Sequence, residues 1–247
     1  MQVYRGIPTL TNQHRRRPAE LVGVVSVADE WTVARHKEAV EGTVEGLDVP
    51  FVLDAGTGMY LNAIVLDVPL APKAPEAVRA EAQRLAEGAD NPRRAAREAE
   101  LLLMGTPERG SIWSGRLRYE AAFVYLRPPR NVLDDNIARR TASIVRGGLV
   151  EARELLAQEA AGPPPNPSVR EAVGVKEMML LATGATTREE ARERIYVRTR
   201  RLARRQMRWF DKLVRSLGED RFLVAGNPAE AERVAGNSHF MHDIIGT

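Results

Sequence analysis

Residues 188–217 constrain this chain more than any other stretch. Thr187 followed by Glu190 has the spacing of a capping box, and Gly218 stands where a helix would end. No glycine or proline interrupts the interval, which predicts one long helix. On a 3.6-residue wheel Ile195, Leu202, Trp209, Leu213 and Leu217 form an apolar stripe, widened by Phe210 and Val214. Beside it run Arg194, Arg198, Arg201, Arg205, Arg208, Lys212 and Arg215, at alternating spacings of four and three. Eleven basic and four acidic residues between 188 and 215 give this segment +7, in a chain whose net charge is +3, so the remainder carries −4. A charge run is ordinarily a solvated face. Here no acid separates the arginines between Glu193 and Asp211, and like charges spread over about 30 Å repel unless a polyanion lies against them. Guanidinium groups suit bidentate phosphate binding, which points to nucleic acid.

Elsewhere the chain excludes more than it assigns. The 247 residues suffice for one sizeable domain or a domain with a subsidiary lobe. The absence of cysteine removes disulfides, thiolate nucleophiles and Cys-based zinc sites. No apolar run approaches a membrane span and the N-terminus has no signal-peptide pattern, so the cytoplasm is the expected compartment.

The first third reads as α/β. Residues 21–27 (LVGVVSV) and 49–53 (VPFVL) have the composition of strands, with a helix at about 32–45 between them. The second run leads into Asp54-Ala55-Gly56-Thr57-Gly58 and a helical MYLNAIVL, the strand–turn–helix order that offers backbone N–H groups to an anion. Two amphipathic helices are predicted at 75–87 and 92–104, a strand at 121–126, and a long helix at 134–159 weakened or bent by Gly147-Gly148. Residues 162–167 (GPPPNP) form the clearest linker, with helix resuming at 168–181. Asp134-Asp135 reads as helix-start acids rather than a metal pair, and Asp54 as a turn residue. His239 and His242 with Asp243 lack a further ligand for a metal site, and no metal ligand is assigned. Trp31 and Trp113 read as packing residues, whereas Trp209, beside the arginine ridge, is also a candidate to stack on a base.

Five segments in order resemble the tRNA dimethylallyltransferase family, also called IPP transferases. Residues 1–6 (MQVYRG) resemble its D-S-M-Q-V-Y-R-G, and 55–61 (AGTGMYL) its G-G-T-G-L-Y-L. Residues 91–108 (NPRRAAREAELLLMGTPE) resemble its N-D-x-x-R-x-x-R-A-L-E-V-x-x-x-T-G-x-P, 171–178 (EAVGVKEM) its Q-A-I-G-Y-K-E-L, and 199–210 (TRRLARRQMRWF) its T-R-R-L-A-K-R-Q-x-T-W-F. The resemblance implies transfer of a dimethylallyl group from dimethylallyl diphosphate to N6 of the tRNA adenosine next to the anticodon, with Mg²⁺. It implies tRNA contacts, to the anticodon stem-loop, at Met1, Gln2, Thr57, Arg79, Arg93, Arg94, Arg97, Glu171, Gly174, Lys176, Arg204, Arg205, Gln206, Arg208 and Trp209. Gly56, Thr57, Gly58 and Arg140 would lie near the diphosphate.

Departures from the family pattern are Gln13 for its Lys, Ala19-Glu20 for its His pair, Ala55 for a Gly and Asn136 for an Arg. No G-x-x-x-x-G-K-[ST] phosphate loop occurs, and the family's general-base aspartate precedes the position of Met1. Two explanations stay open: a reading frame that starts upstream, or a diverged, catalytically silent RNA-binding paralogue. The expected fold is α/β, a P-loop NTPase-like parallel sheet lacking its first strand and phosphate loop, with a helical insertion and a helical C-terminal region. The expected divisions are 1–74 (incomplete core), 75–110 (insertion), 111–162 (rest of the core), 163–225 (tRNA-binding helices) and 226–247 (tail), in a monomer.

Overall fold

The structure, a computed structural model, describes residues 1–14, 18–66, 68, 70–105, 112–113 and 116–237; the side chains of Arg93 and Asn237 also lie outside that description. His239, His242 and Asp243 are outside it as well. In chain order the elements are α1 (Pro8–Thr11), α2 (Val33–Val44), α3 (Gly58–Val65), α4 (Glu76–Leu85), α5 (Pro92–Leu103), β1 (Phe123–Leu126), α6 (Arg130–Ala161), α7 (Pro167–Arg170), α8 (Val175–Ala182), α9 (Arg188–Leu217), β2 (Phe222–Ala225) and α10 (Pro228–Asn237). The protein is mixed α/β, mostly helical with a small parallel sheet. β1 and β2 pair in parallel, Phe123 opposite Phe222 and Leu126 opposite Ala225.

Two compact units divide the chain: residues 1–61 with 120–247, and residues 62–119. In the smaller unit α4 packs on α5, Leu66 bridges Leu117, and the buried Asn62 amide donates to the Ile112 carbonyl at 3.0 Å. In the larger unit α6 touches α1, α8 and α9, and α8 also packs on α9. Val3, Tyr4, Ile7 and Leu10 fill the core between these helices with Ile144, Leu155, Val175, Met178 and Ile195.

Two predicted strands are corrected. Residues 21–27 make a single bridge, Val25 to Tyr4, and residues 49–53 form no ladder among the described residues. Val52 is 93% exposed. Strand composition lowers the cost of extension without ensuring a ladder: Gly23, Val24 and Val25 donate to the Gln2 and Val3 carbonyls, but positive φ at Leu21 and Gly23 turns the chain away and limits the pairing to one bridge. Conversely β2 was not expected. Its four residues lie just past the turn at Gly218, where φ is +95°, and gain β1, far upstream, as a partner. The helix predicted at 168–181 is split in two at Gly174, whose φ of +93° ends regular helix geometry.

Gly147 and Gly148 do not break α6, which runs unbroken for 32 residues. They let α1 approach. A Cβ on Gly148 would lie 2.6 Å from Leu10 Cδ2, and one on Gly147 3.2 Å from Thr9 Cγ2. The same face of α6 supplies Glu151, whose carboxylate accepts from the Thr9 and Leu10 amides at 2.8 Å each. Those are orphan donors at the start of α1, and a partly buried anion there is favoured by the local dipole. Arg140, also on α6, donates to the Thr9 carbonyl.

Trp31 donates its indole N–H to His36 Nδ1 at 3.2 Å, and the His36 ring lies 5.0 Å from that of Tyr60. Burial holds the His36 pKa below the usual histidine value. The unfolded chain therefore takes up a proton near pH 6.5 while the folded chain resists it, so this contribution is present above that pH and lost below it.

Two stability measurements follow from this packing. Gly148→Ala should lower unfolding free energy by about 1–3 kcal/mol in urea titration, and Gly147→Ala by clearly less. The urea midpoint should fall from pH 7 to pH 5, and His36→Gln should flatten that decline.

Candidate nucleic-acid interface

α9 begins as its capping box predicts: Thr187 Oγ1 accepts from the Glu190 amide at 3.2 Å, and Glu190 accepts from the Thr187 amide at 2.9 Å. The backbone donor of Thr187 holds the Glu190 carboxyl below the usual range. Ala191, Ile195 and Leu213 are fully buried and anchor the helix. The apolar stripe is not continuous, however. Leu202 is 37% exposed, which parts the buried end of the helix from the end near β1.

Three side chains along α9 are neutralised inside the larger unit. Arg198 pairs with the buried Glu177 and donates to the Glu171 carbonyl at 2.6 Å. Glu177 in turn accepts from the Gly174 amide at 2.9 Å, which caps α8. Arg200 pairs with Asp134 at 2.9 Å and lies 5.6 Å over the Tyr196 ring. Asp211 receives both arms of Arg127, at 3.0 and 3.3 Å, and lies 3.1 Å from the Tyr125 hydroxyl. Burial, followed by the charge of Asp211, pushes Tyr125 up to about 12. Hydrogen bonding from Arg127 holds Asp211 below the usual carboxylate range.

Arg201, Arg204, Arg205 and Arg208 are exposed and make no ion pair among the described residues. The predicted ridge thus loses Arg198 to an internal partner and gains Arg204. Four guanidinium groups on two turns of helix, unpaired among the described residues, leave an electropositive face there.

Gln206 and Trp209 point the other way. Gln206 Nε2 donates to the Gly56 carbonyl at 2.6 Å. The Trp209 ring lies on the backbone of Gly58, where a Cβ would fall 2.0 Å from Cδ1 and 2.2 Å from Nε1. Trp209 therefore packs against this turn and is only partly exposed. Between these contacts Thr57 is exposed, and its carbonyl accepts from the Tyr60 and Leu61 amides at 3.0 and 3.1 Å as α3 begins.

The remaining predicted site residues divide between surface and scaffold. Gln2 donates to the Asn12 carbonyl at 3.1 Å, and Met1 is exposed. Lys176 pairs with Glu171 at 2.8 Å on the surface, while Gly174 is buried against Ile144. Arg140 is half-buried with its guanidinium on the Thr9 carbonyl, and burial lowers its pKa. In the smaller unit Arg94 is exposed and pairs with Glu98 at 2.9 Å. Arg97 pairs with Glu100 and donates to the Ala71 and Pro72 carbonyls at 3.1 and 3.0 Å, so it builds the unit that carries it. Arg79 Nε is buried with no partner among the described residues. Asp134, placed one turn inside α6, serves Arg200 instead of a helix start. Among the described residues no group of three or more His, Asp or Glu could hold a metal ion, and no helix is long and apolar enough to cross a membrane.

The comparisons with known proteins agree with one another. The IPP transferase family model matches residues 2–99 and 88–213. A tRNA dimethylallyltransferase from Rubrobacter xylanophilus is 57% identical over 248 residues, covering 100% of this chain and 85% of the relative. One from Thermobifida fusca is 32% identical, covering 85% and 75%. Among solved structures, a tRNA isopentenylpyrophosphate transferase from Bacillus halodurans shares the fold at a TM-score of 0.65 and 23% identity, covering 96% of this chain and 84% of its own. A eukaryotic dimethylallyltransferase solved acting on tRNA aligns at 0.70 and 20% identity, over 96% and 68%. Matched by the family model over most of its length, and 57% identical to one such enzyme across all of it, the chain belongs to the IPP transferase family.

Proposed function

We propose that this protein modifies tRNA by transferring a dimethylallyl group from dimethylallyl diphosphate to N6 of the adenosine next to the anticodon. The observation that carries the reading is the division of α9. Arg201, Arg204, Arg205 and Arg208 stay unpaired and exposed, while the same helix holds the Gly56–Gly58 turn through Gln206 and Trp209. A polyphosphate chain laid along the arginines gains charge-assisted hydrogen bonds and releases counterions. Identity of 57% across the whole chain to a tRNA dimethylallyltransferase favours the transferase over a silent RNA-binding paralogue.

In the reaction a bond forms between N6 and the allylic carbon as the carbon–oxygen bond to diphosphate breaks. Pyrophosphate departs with the bonding electrons, and the proton released from the exocyclic amine passes to water. The adenine must leave its stack for N6 to reach that carbon. In this chain the exposed Thr57, at the start of α3, would meet the RNA or the diphosphate end of the donor. Lys176 and Arg94, each in a surface ion pair, can exchange a carboxylate for a phosphate at little cost. When bound, Mg²⁺ would neutralise charge on the diphosphate oxygens and so ease departure of pyrophosphate. The protein would act on the anticodon stem-loop as a monomer.

Replacing Arg201, Arg205 and Arg208 together with Ala tests the interface. The dependence of log Kd for tRNA on log salt should become shallower by about 0.7–0.9 for each phosphate that the variant no longer neutralises. Helix content should be unchanged, because these side chains make no hydrogen bond or ion pair among the described residues. An unchanged salt slope would contradict the reading.

A further inference from the structure

The resemblance implies tRNA contacts at Arg204, Arg205, Gln206, Arg208 and Trp209 alike, within a matched segment that reaches Asp211. In the structure that segment has three destinations. Arg204, Arg205 and Arg208 face solvent, Asp211 is held by Arg127 and Tyr125, and Gln206 and Trp209 lie on the turn that precedes α3. Residues 206, 209 and 213 fall on one side of a helix, and Leu213 is fully buried. That side is therefore the inward one.

What Gln206 and Trp209 touch is specific. Gln206 takes the carbonyl of Gly56, and the indole covers the backbone of Gly58. Gly58 does not have positive φ, so its glycine answers to space alone: any side chain would enter the Trp209 ring. Both flanks of Thr57 are thereby fixed while Thr57 itself stays exposed. The two contacts come from the helix that carries the unpaired arginines, so a single rigid element sets both the RNA register and the position of Thr57.

We infer that Gln206 and Trp209 are positioning residues that lock the Gly56–Thr57–Gly58 turn to α9, and that neither contacts the tRNA. The inference rests on the reading above that Thr57 faces the substrates. Misplacing a substrate-facing group by about 1 Å can cost on the order of a hundredfold in rate without weakening remote binding. A residue that touches RNA would show the opposite pattern.

The test uses Gln206→Glu, which keeps shape but replaces the amide donor with an anion, together with Trp209→Leu, Gly58→Ala and the Gly58→Ala/Trp209→Leu double variant. Two quantities are read in the full chain: Kd for tRNA, and the single-turnover rate of dimethylallyl transfer with tRNA and dimethylallyl diphosphate saturating. Each single variant should hold Kd within about twofold and lose about tenfold or more in rate. The double variant should recover part of the rate that Gly58→Ala forfeits, because Leu leaves room for the added methyl. Loss of tRNA affinity in Gln206→Glu or Trp209→Leu equal to that of Arg205→Ala, with the saturated rate unchanged, overturns the inference. If the parent chain binds tRNA but transfers nothing, the transferase reading fails on its own, and hydrogen exchange at the Tyr60 and Leu61 amides decides this one. Faster exchange in Gln206→Glu upholds it, and unchanged exchange overturns it.

Discussion

The placement of α9 depends on neutralising a minority of its charges. A helix carrying eleven basic side chains cannot lie flat on a protein unless some of them are answered, and three polar anchors do this. Glu177 takes Arg198 near the buried end, Asp134 takes Arg200, and Asp211 ties the far end to Arg127 and Tyr125 beside β1. Glu177 is 3% exposed, so removal of Arg198 would leave a buried anion with only an amide donor, a strongly destabilising state. The anchors lie where α6, α8 and β1 can reach them. The arginines beyond that reach have no described partner, and the surface we propose for RNA is what these pairings leave over.

A second constraint sits further along α6. Glu151, Arg140 and the glycine pair together grip α1 by its amides, its carbonyl and its close approach. Four residues of helix have little stability of their own, since nucleation costs more than one turn returns. α1 holds its shape because α6 supplies the groups its ends lack. Leu10 is thereby driven into the core beside Met178, and α8 follows, carrying Glu177 to Arg198. The long helix thus connects the N-terminal segment to the electrostatics of α9.

Much of this was legible in the residues. The capping box and Gly218 bounded α9 at the residues observed, because both signals act locally. The strand at 121–126 appeared as β1, and the amphipathic pair at 75–87 and 92–104 as α4 and α5. What stayed hidden was non-local. On a wheel Arg198 and Arg201 look alike, yet only Arg198 meets a buried carboxylate, 21 residues away. Gly147 and Gly148 looked like weak points, and only contact with Leu10 and Thr9 shows why no side chain fits. Residues 49–53 have strand composition without a strand, and β2 is a strand too short to stand out, because pairing is decided by a partner and not by propensity. Trp209 beside an arginine ridge suggested stacking on a base, whereas the space above Gly58 is what receives it.

Residue-resolved arginine modification by phenylglyoxal, with and without tRNA, reaches the centre of this account. Free and bound samples should differ at Arg201, Arg204, Arg205 and Arg208, which tRNA shields. Arg198, Arg200 and Arg127, already held by carboxylates, should react slowly in both. Uniform reactivity across α9, or shielding confined to the paired arginines, would contradict a helix whose inward charges fix its place and whose outward charges hold the RNA.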